Sequence, residues 1–594
     1  DGIPETEPDG RTSFDQIDLS IADNIEIIRS NASAIWGNAA GGVVNISTVP
    51  SGIDNSVSLR SLVGSYGFNL LQANARTNFK NGKIFSSLSN SNLDGWRKHS
   101  SSYRTLFNFG FLSYLDDLTK LGVFLSGASN LFHIPGPLTQ KQFDSDPSQS
   151  NPTYAQRDER RFNRLGKIGV TLNHEFDKSN GISGMVFVNP KYLQRSERGT
   201  FRDFTRYHLG GNLIYSNYSW LSSSIQNKLV VGGDEAYQDG AILFYSLSPT
   251  NSRGDVLKDN KREGANTFGA FVQDEIIFND KLSIIVGARY DNISYYSESF
   301  ITAGYGLQTR SFERVTPKAG ITYRLSETQS VYANYGGGIE VPAGNETDPS
   351  STYGQDKVYL INPLLEPIIS TTFELGTKHL IALQKKDLLK SLTYDLAFYY
   401  INVQNDIIPY RGGRFYFTAG KTKRIGVELG TSLQFNHGFS FNGAFTFSDN
   451  KYLEYLIDSV HYDLKKAGKF SNYKDNEVAG IPGLFYNLGL TYVPEIFDGA
   501  FLSIGINGIG KYFVDDANTL SVPSFTVMNA TVGLNKPVKI IGNLSLTGFL
   551  TINNIFGLKY ASSAFINPDI VNNEAIFLEP GMPRNFVLSI SLSY

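Results

Sequence analysis

The chain contains no cysteine. That absence excludes a disulfide framework, Cys-ligated zinc, iron–sulfur clusters and a thiol nucleophile in one step. Long apolar runs are missing as well. The longest extends only from Leu396 to Ile401, whereas a membrane-spanning helix needs about 20 residues. Neither sign of charge dominates: 53 Lys and Arg face 56 Asp and Glu, for a net charge of −3, so no basic field argues for nucleic acid. The seven histidines are scattered without zinc-ligand spacing. Gly420-Lys421-Thr422 imitates the end of a phosphate loop, but the glycine such a loop needs at position 415 is Phe415. None of these absences bears on a transmembrane β-barrel, whose signature is alternation rather than runs.

Alternation is what the 594 residues do contain, together with 13% aromatics and 57 glycines. Phe586, Leu588, Ile590, Leu592 and Tyr594 share one face, against Val587, Ser589, Ser591 and Ser593 on the other. Leu71, Ala73, Ala75 and Phe79 alternate in the same way with Gln72, Asn74, Arg76 and Asn78. A soluble sandwich or propeller also alternates, but so many strands would need several cores, and no blade-length repeat is present. Aromatic pairs such as Tyr295-Tyr296 and Tyr399-Tyr400 fall near strand ends, as interfacial girdles do.

The turns supply a count. Short polar breaks occur at Asn81-Gly82, Asp116-Asp117, Asp177–Gly181, Ser222–Ser224, Asn279-Asp280, Ser326–Thr328, Lys385–Asp387, Asn436–Gly438, Pro494–Gly499 and Gly542-Asn543. They alternate with longer polar stretches at 132–164, 192–207, 236–264, 292–314, 336–368, 449–480 and 560–584, which read as loops. Ten short breaks separate eleven strand–loop–strand units and predict 22 strands. The expected fold is all-β: a 22-stranded antiparallel transmembrane barrel over residues 53–594, with a lumen wide enough to need a plug. The short turns would be periplasmic and the long loops extracellular.

Residues 1–52 read differently. A short helical or mixed segment is expected over Asp18 to Ile28, then a small-residue run at Asn38–Gly42 and a strand over Val43–Ile46. Asp1-Gly2-Ile3-Pro4, Asn24-Ile25-Glu26-Ile27-Ile28-Arg29, Ser33-Ala34-Ile35-Trp36-Gly37 and Gly41-Gly42-Val43-Val44-Asn45-Ile46 together resemble the second half of the plug domain of TonB-dependent outer-membrane receptors. Barrel motifs agree in order and spacing. They are Gly287-Ala288-Arg289-Tyr290-Asp291, Asn362–Pro367 with Phe373-Glu374-Leu375-Gly376, Arg424-Ile425-Gly426-Val427-Glu428, and Asn553–Tyr560 followed by Gly581-Met582-Pro583-Arg584. Residues 1–52 are therefore assigned as the C-terminal part of a plug, and the chain is expected to be a piece of a longer product. The chain departs from the family at Arg29-Ser30-Asn31, where Arg-Gly-Pro is usual, and ends on Tyr594 rather than the commoner Phe.

The resemblance implies active uptake of a scarce small molecule across a Gram-negative outer membrane. TonB and its inner-membrane motor proteins would be the partners, with lipid and lipopolysaccharide around the barrel. A ferric siderophore or ferric citrate-like chelate is the leading cargo. A quinone redox cofactor, cobalamin or a saccharide is the alternative. No permanently bound cofactor, metal or catalytic residue is expected, and an outer-membrane barrel enzyme remains the competing class. By the same resemblance, Arg29 should meet the barrel carboxylates Glu374 and Glu428, with Glu26 close by. Ligand contacts are expected from Asp9 and Arg11 at the plug apex, from Arg195 and Arg202 in the stretch 192–207, and from Tyr410, Arg411, Arg414 and Tyr416. Arginine forks suit anionic oxygens, although a solvated loop or lipopolysaccharide phosphates would also account for Arg195 and Arg202. Ile134–Gln140 with Phe143–Pro147 resembles a second-loop signature of one receptor subgroup and would shape the vestibule.

Overall fold

The computed structural model describes the chain except residues 30–31, 53, 302–305, 345, 347–360, 363–365, 384–387, 411–414, 419, 459–469 and 498. Twenty-two strands, from Ser56–Gly64 to Asn585–Ser593, form one closed barrel. Neighbouring strands pair antiparallel, and the last closes on the first from Ser58↔Ser593 to Gly64↔Val587. Closure leaves no open edge, which is the condition for crossing lipid with strands. Alternate residues point outward as an apolar band: Leu71, Val186, Leu213, Val315, Phe398 and Leu588 are all exposed.

Nine of the ten short breaks fall at hairpins joining barrel strands. The tenth, Lys385–Asp387, lies outside the described residues. At Asn279 and Asp280 the backbone takes φ of 48° and 54°, the left-handed pair that lets a tight hairpin follow the twist of its strands.

Three of the seven stretches read as loops are instead strand. The strands Asn180–Glu197 and Thr200–Ser222 run through 192–207 and turn only at Arg198-Gly199. Ile225–Leu247 and Arg253–Phe278 occupy nearly all of 236–264, and Leu282–Ser299 and Gln308–Ser326 most of 292–314. The reason is physical. Outside lipid the antiparallel ladder still satisfies backbone groups, and the strand no longer needs an apolar face, so polarity stops reporting loop. The wall is consequently uneven. Ser56–Gly64 has 9 residues and Arg253–Phe278 has 26, or about 30 Å against about 85 Å of strand.

Residues 1–50 stand apart from the barrel ladder. Asn24–Arg29 pairs with Gly42–Ser47 as a separate two-stranded sheet. A helical turn, Ser33–Trp36, lies between them, and the expected mixed segment is a 3-10 turn at Leu19–Ile21 leading into the strand. The segment hydrogen-bonds strands on many sides of the ring, through Gln72, Asn163, Lys191, Gln238, Arg289 and Glu428. It therefore sits in the lumen, and the rows carrying these residues are the inward ones.

Candidate functional site

The lumenal segment presents a hairpin to the long-loop end of the barrel. Thr6 bridges Thr12, and Glu7 donates its N–H to Arg11 O at 2.8 Å. Gly10, at φ +79°, makes the turn, and its N–H reaches Glu7 O at 2.9 Å. The hairpin points its acids at the wall. Lys191 donates to Glu7, which also accepts from Gln238 Nε2 at 2.8 Å. Asp9 accepts from Arg11 Nε at 2.8 Å, Gln238 Nε2 at 3.1 Å and Arg206 Nη1 at 3.3 Å. Arg206 also reaches Glu263 at 3.1 Å. Burial pushes the Glu7 carboxyl up, an effect Asp9 reinforces and Lys191 opposes. Burial opposes the charge on Arg11, but Asp9 and Glu7 outweigh it and hold the guanidinium above its ordinary value. Asp9 is only 4% exposed, engaged both with Arg11 and with Arg206 and Gln238 of the barrel.

Lower contacts are of the same kind. Arg289, 3% exposed, grips Asp234 at 2.7 and 2.8 Å, Asp291 at 2.7 Å and the carbonyl of Ile35 at 2.9 Å. That bond fixes the helical turn Ser33–Trp36 to the wall. Arg29 donates to Glu428 and, at 3.1 Å, to Asp395, which Lys378 also approaches at 3.4 Å. Glu374 lies within electrostatic reach of Arg29, and Glu26 is exposed on its strand opposite Asn45. Neither Asp395 nor the lumenal role of Arg289 was anticipated. The signal available for Arg289 was an Arg-x-Asp pair on one strand face, too short a pattern to imply a plug contact.

Apolar contact adds to these. Ile3 inserts among Phe85, Phe124, Met185 and Phe187. Space for it exists because residue 169 is glycine: a Cβ there would stand 2.1 Å from Ile3 Cδ1.

Above the hairpin, an arginine row lines the lumen. Inward-facing positions are fixed by Lys191 and Arg206, which meet the hairpin, so Arg195 and Arg202 face inward too. Arg161 lies opposite Arg195, and Arg195 opposite Arg202. Aromatic faces orient them: Arg195 lies over Phe204 at 5.1 Å and Arg202 over Phe244 at 4.9 Å. Among the described residues, the buried Nε atoms of Arg161 and Arg195 have no hydrogen-bond partner. Arg161 was absent from the expected set, because only strand register brings it to Arg195.

The remaining candidates are placed otherwise. Tyr410, 8% exposed, gives its hydroxyl to Asp516 at 2.6 Å. Tyr452 and Tyr455 donate to the same carboxylate at 2.6 and 2.9 Å, and Asn567 at 3.1 Å. Burial pushes the Asp516 carboxyl up, against the pull of these donors. Tyr416 lies opposite Pro409 on the short strand Phe415–Thr418. Arg411 and Arg414 lie outside the described residues.

A closed ring of 22 strands around a separate lumenal segment narrows the choice of family, and the family model decides it: residues 92–555 match the TonB dependent receptor-like β-barrel model. The chain belongs to the TonB-dependent receptor-like β-barrel family. That membership places it in the outer membrane of a Gram-negative bacterium. The chain is 24% identical to the ferrichrome outer membrane transporter/phage receptor of Escherichia coli K12, over 55% of this chain and 40% of that relative. A TonB-dependent siderophore receptor of Acinetobacter baumannii, PiuA, is matched at 25% identity over a similar share, 54% and 40%. The chain thus spans less than half the length of these curated relatives. In fold, it resembles the solved structure of PiuA at a TM-score of 0.77 and 16% identity, covering 97% of this chain and 87% of that one. The unliganded ferric citrate transporter FecA gives 0.77 at 18% identity, over 98% and 85%.

Proposed function

We propose that this receptor captures an anionic iron chelate in the vestibule above residues 1–50 and delivers it across the outer membrane when TonB acts on that segment. The observation that carries the reading is the inward row Arg161–Arg195–Arg202, placed over the hairpin with the Arg161 and Arg195 side chains still partly open to the lumen. Guanidinium forks recognise carboxylate oxygens bidentately. In a partly water-excluded lumen such contacts weigh more than on an open surface. The names of the relatives, which concern ferrichrome, siderophores and ferric citrate, favour iron over the other cargoes.

The segment's attachment suits a movable part. It is held mainly by separate ion pairs and hydrogen bonds, with Ile3 the chief apolar anchor. Polar contacts exchange for water one at a time, so a pull lowers each barrier in turn instead of tearing a dry core. The outer membrane has no energy source of its own, and TonB would bring it from the inner-membrane proton gradient.

The experiment is uptake of radiolabelled iron from a panel of ferric chelates by iron-limited cells carrying this receptor, with and without TonB, paired with calorimetry on the purified protein. Saturable, TonB-dependent uptake of an anionic chelate is expected, with at least tenfold weaker binding in Arg195→Ala/Arg202→Ala. Expression unchanged by iron limitation, together with no heat of binding across the panel, would transfer the proposal to a non-iron ligand.

A further inference from the structure

We propose that Glu197 is a specificity-determining residue of this vestibule: a built-in anion that sets how much negative charge a ligand must bring. The inference rests on reading the arginine row as the binding site. Glu197 ends the strand Asn180–Glu197, two residues beyond Arg195 and on the same inward face. Its carboxylate lies 3.8 Å from Arg161 Nη2, 4.0 Å from Arg195 Nη1 and 3.9 Å from Arg198 Nε. Arg202 is within its electrostatic reach as well.

These distances are too long for hydrogen bonds, and Glu197 Oε2 has no hydrogen-bond partner among the described residues. The side chain is nonetheless mostly enclosed, at 15% exposure. One carboxylate thus relieves the mutual repulsion of four guanidiniums at Coulomb range rather than through hydrogen bonds. An ordinary structural salt bridge would do the opposite: it would close to hydrogen-bond distance and occupy the donors.

The arrangement has a consequence for selectivity. A ligand that approaches the row also approaches Glu197. A neutral chelate gains little from the guanidiniums and loses little to the carboxylate. An anionic chelate gains from each arginine in reach and is repelled once by Glu197. Binding therefore becomes favourable only for a ligand that engages several arginines together. Arg161, Arg195 and Arg202 stand on three adjacent strands, so the row spans about 10 Å. That geometry fits a chelate with two or more anionic oxygens spread along one flank.

The test is calorimetry on the intact receptor with two probes: ferric citrate, and the ferric complex of a neutral trihydroxamate. Glu197→Gln removes the charge and nearly keeps the shape. It should bind ferric citrate about tenfold tighter, as expected for losing one like charge near the site, with the neutral probe unchanged. Glu197→Asp keeps the charge and should bind both probes as the wild type does. Tightening by both variants would assign the effect to shape and overturn the proposal. Unchanged or weaker citrate binding by Glu197→Gln, while Arg195→Ala/Arg202→Ala still weakens binding at least tenfold, would leave Glu197 a structural counter-ion and the site intact. Indifference of ferric citrate to the arginine double variant, or no binding of either probe to any form, would remove the site and this inference with it.

Discussion

At the scale of single residues, burial decides which ion pairs matter. Arg29 and Arg289 both tie the lumenal segment to the wall, yet the Arg29 side chain is 49% exposed and that of Arg289 only 3%. Water screens the first, so the pair is worth about 0.2–1 kcal/mol. Removing the second strands Asp291, itself 3% exposed, and frees the Ile35 carbonyl, which costs about 3–5 kcal/mol. Arg289→Ala should therefore speed hydrogen exchange across Ser33–Trp36 at least a hundredfold, and Arg29→Ala only severalfold across Asn24–Arg29. Equal effects in the two variants would show that exposure is the wrong guide. The Arg29–Glu428 pairing could be named from motifs. Asp395 could not, because it joins the cluster only through the register that sets it opposite Gly430, two positions from the Ala397↔Glu428 pair.

Elements tell a different story from residues. Periodicity and turn chemistry revealed the strands because lipid imposes an apolar outer face and hairpins demand particular backbones. Above the membrane that constraint ends, which is why 192–207, 236–264 and 292–314 looked like loops. The interlocking of the true loops was equally hidden, since its residues are far apart in the chain. Leu138–Thr139 pairs with Glu574–Pro580, and Leu138, Phe143, Tyr512, Val514, Val522, Phe577 and Leu578 bury one another. Beside them Asp516 gathers Tyr410, Tyr452, Tyr455 and Asn567. Tyr452 is on the inward row of its strand, opposite Thr422, so this cluster folds over the lumen. Asp516→Ala would strand three buried hydroxyls at about 1–3 kcal/mol each. Limited proteolysis should then cut the connections around Tyr410, Asp516 and Asn567 together, while the barrel keeps its heat-resistant mobility in detergent gels. Cutting at one connection alone would mean that the carboxylate does not hold them as a unit.

For the whole molecule, the barrel and the segment obey separate accounts. The ladder closes through Ser56–Gly64 and Asn585–Ser593 without any residue of 1–50, so backbone satisfaction in lipid does not require the segment. What the segment contributes is occupation. Among the described residues, its hydrogen bonds reach strands from Asn69–Phe79 round to Lys421–Phe435. On the remaining arc, Gly489 and Gly505 have open space where a Cβ would stand, and the lumen-facing Asn442, Asn487 and Asn507 are exposed. A barrel of residues 53–594 should therefore fold, remain in the membrane and conduct. In planar bilayers its single-channel conductance should exceed that of the full chain severalfold, because the lumen of a 22-stranded barrel is an aqueous bore unless something fills it. The losses are local: Lys191, Arg206 and Arg289 would lose Glu7, Asp9 and Ile35 as partners, but they would meet water instead of a dry interior, which keeps the cost small. Collapse of the truncated barrel would make the segment part of the barrel's core, and equal conductance would mean that residues 1–50 do not obstruct the bore.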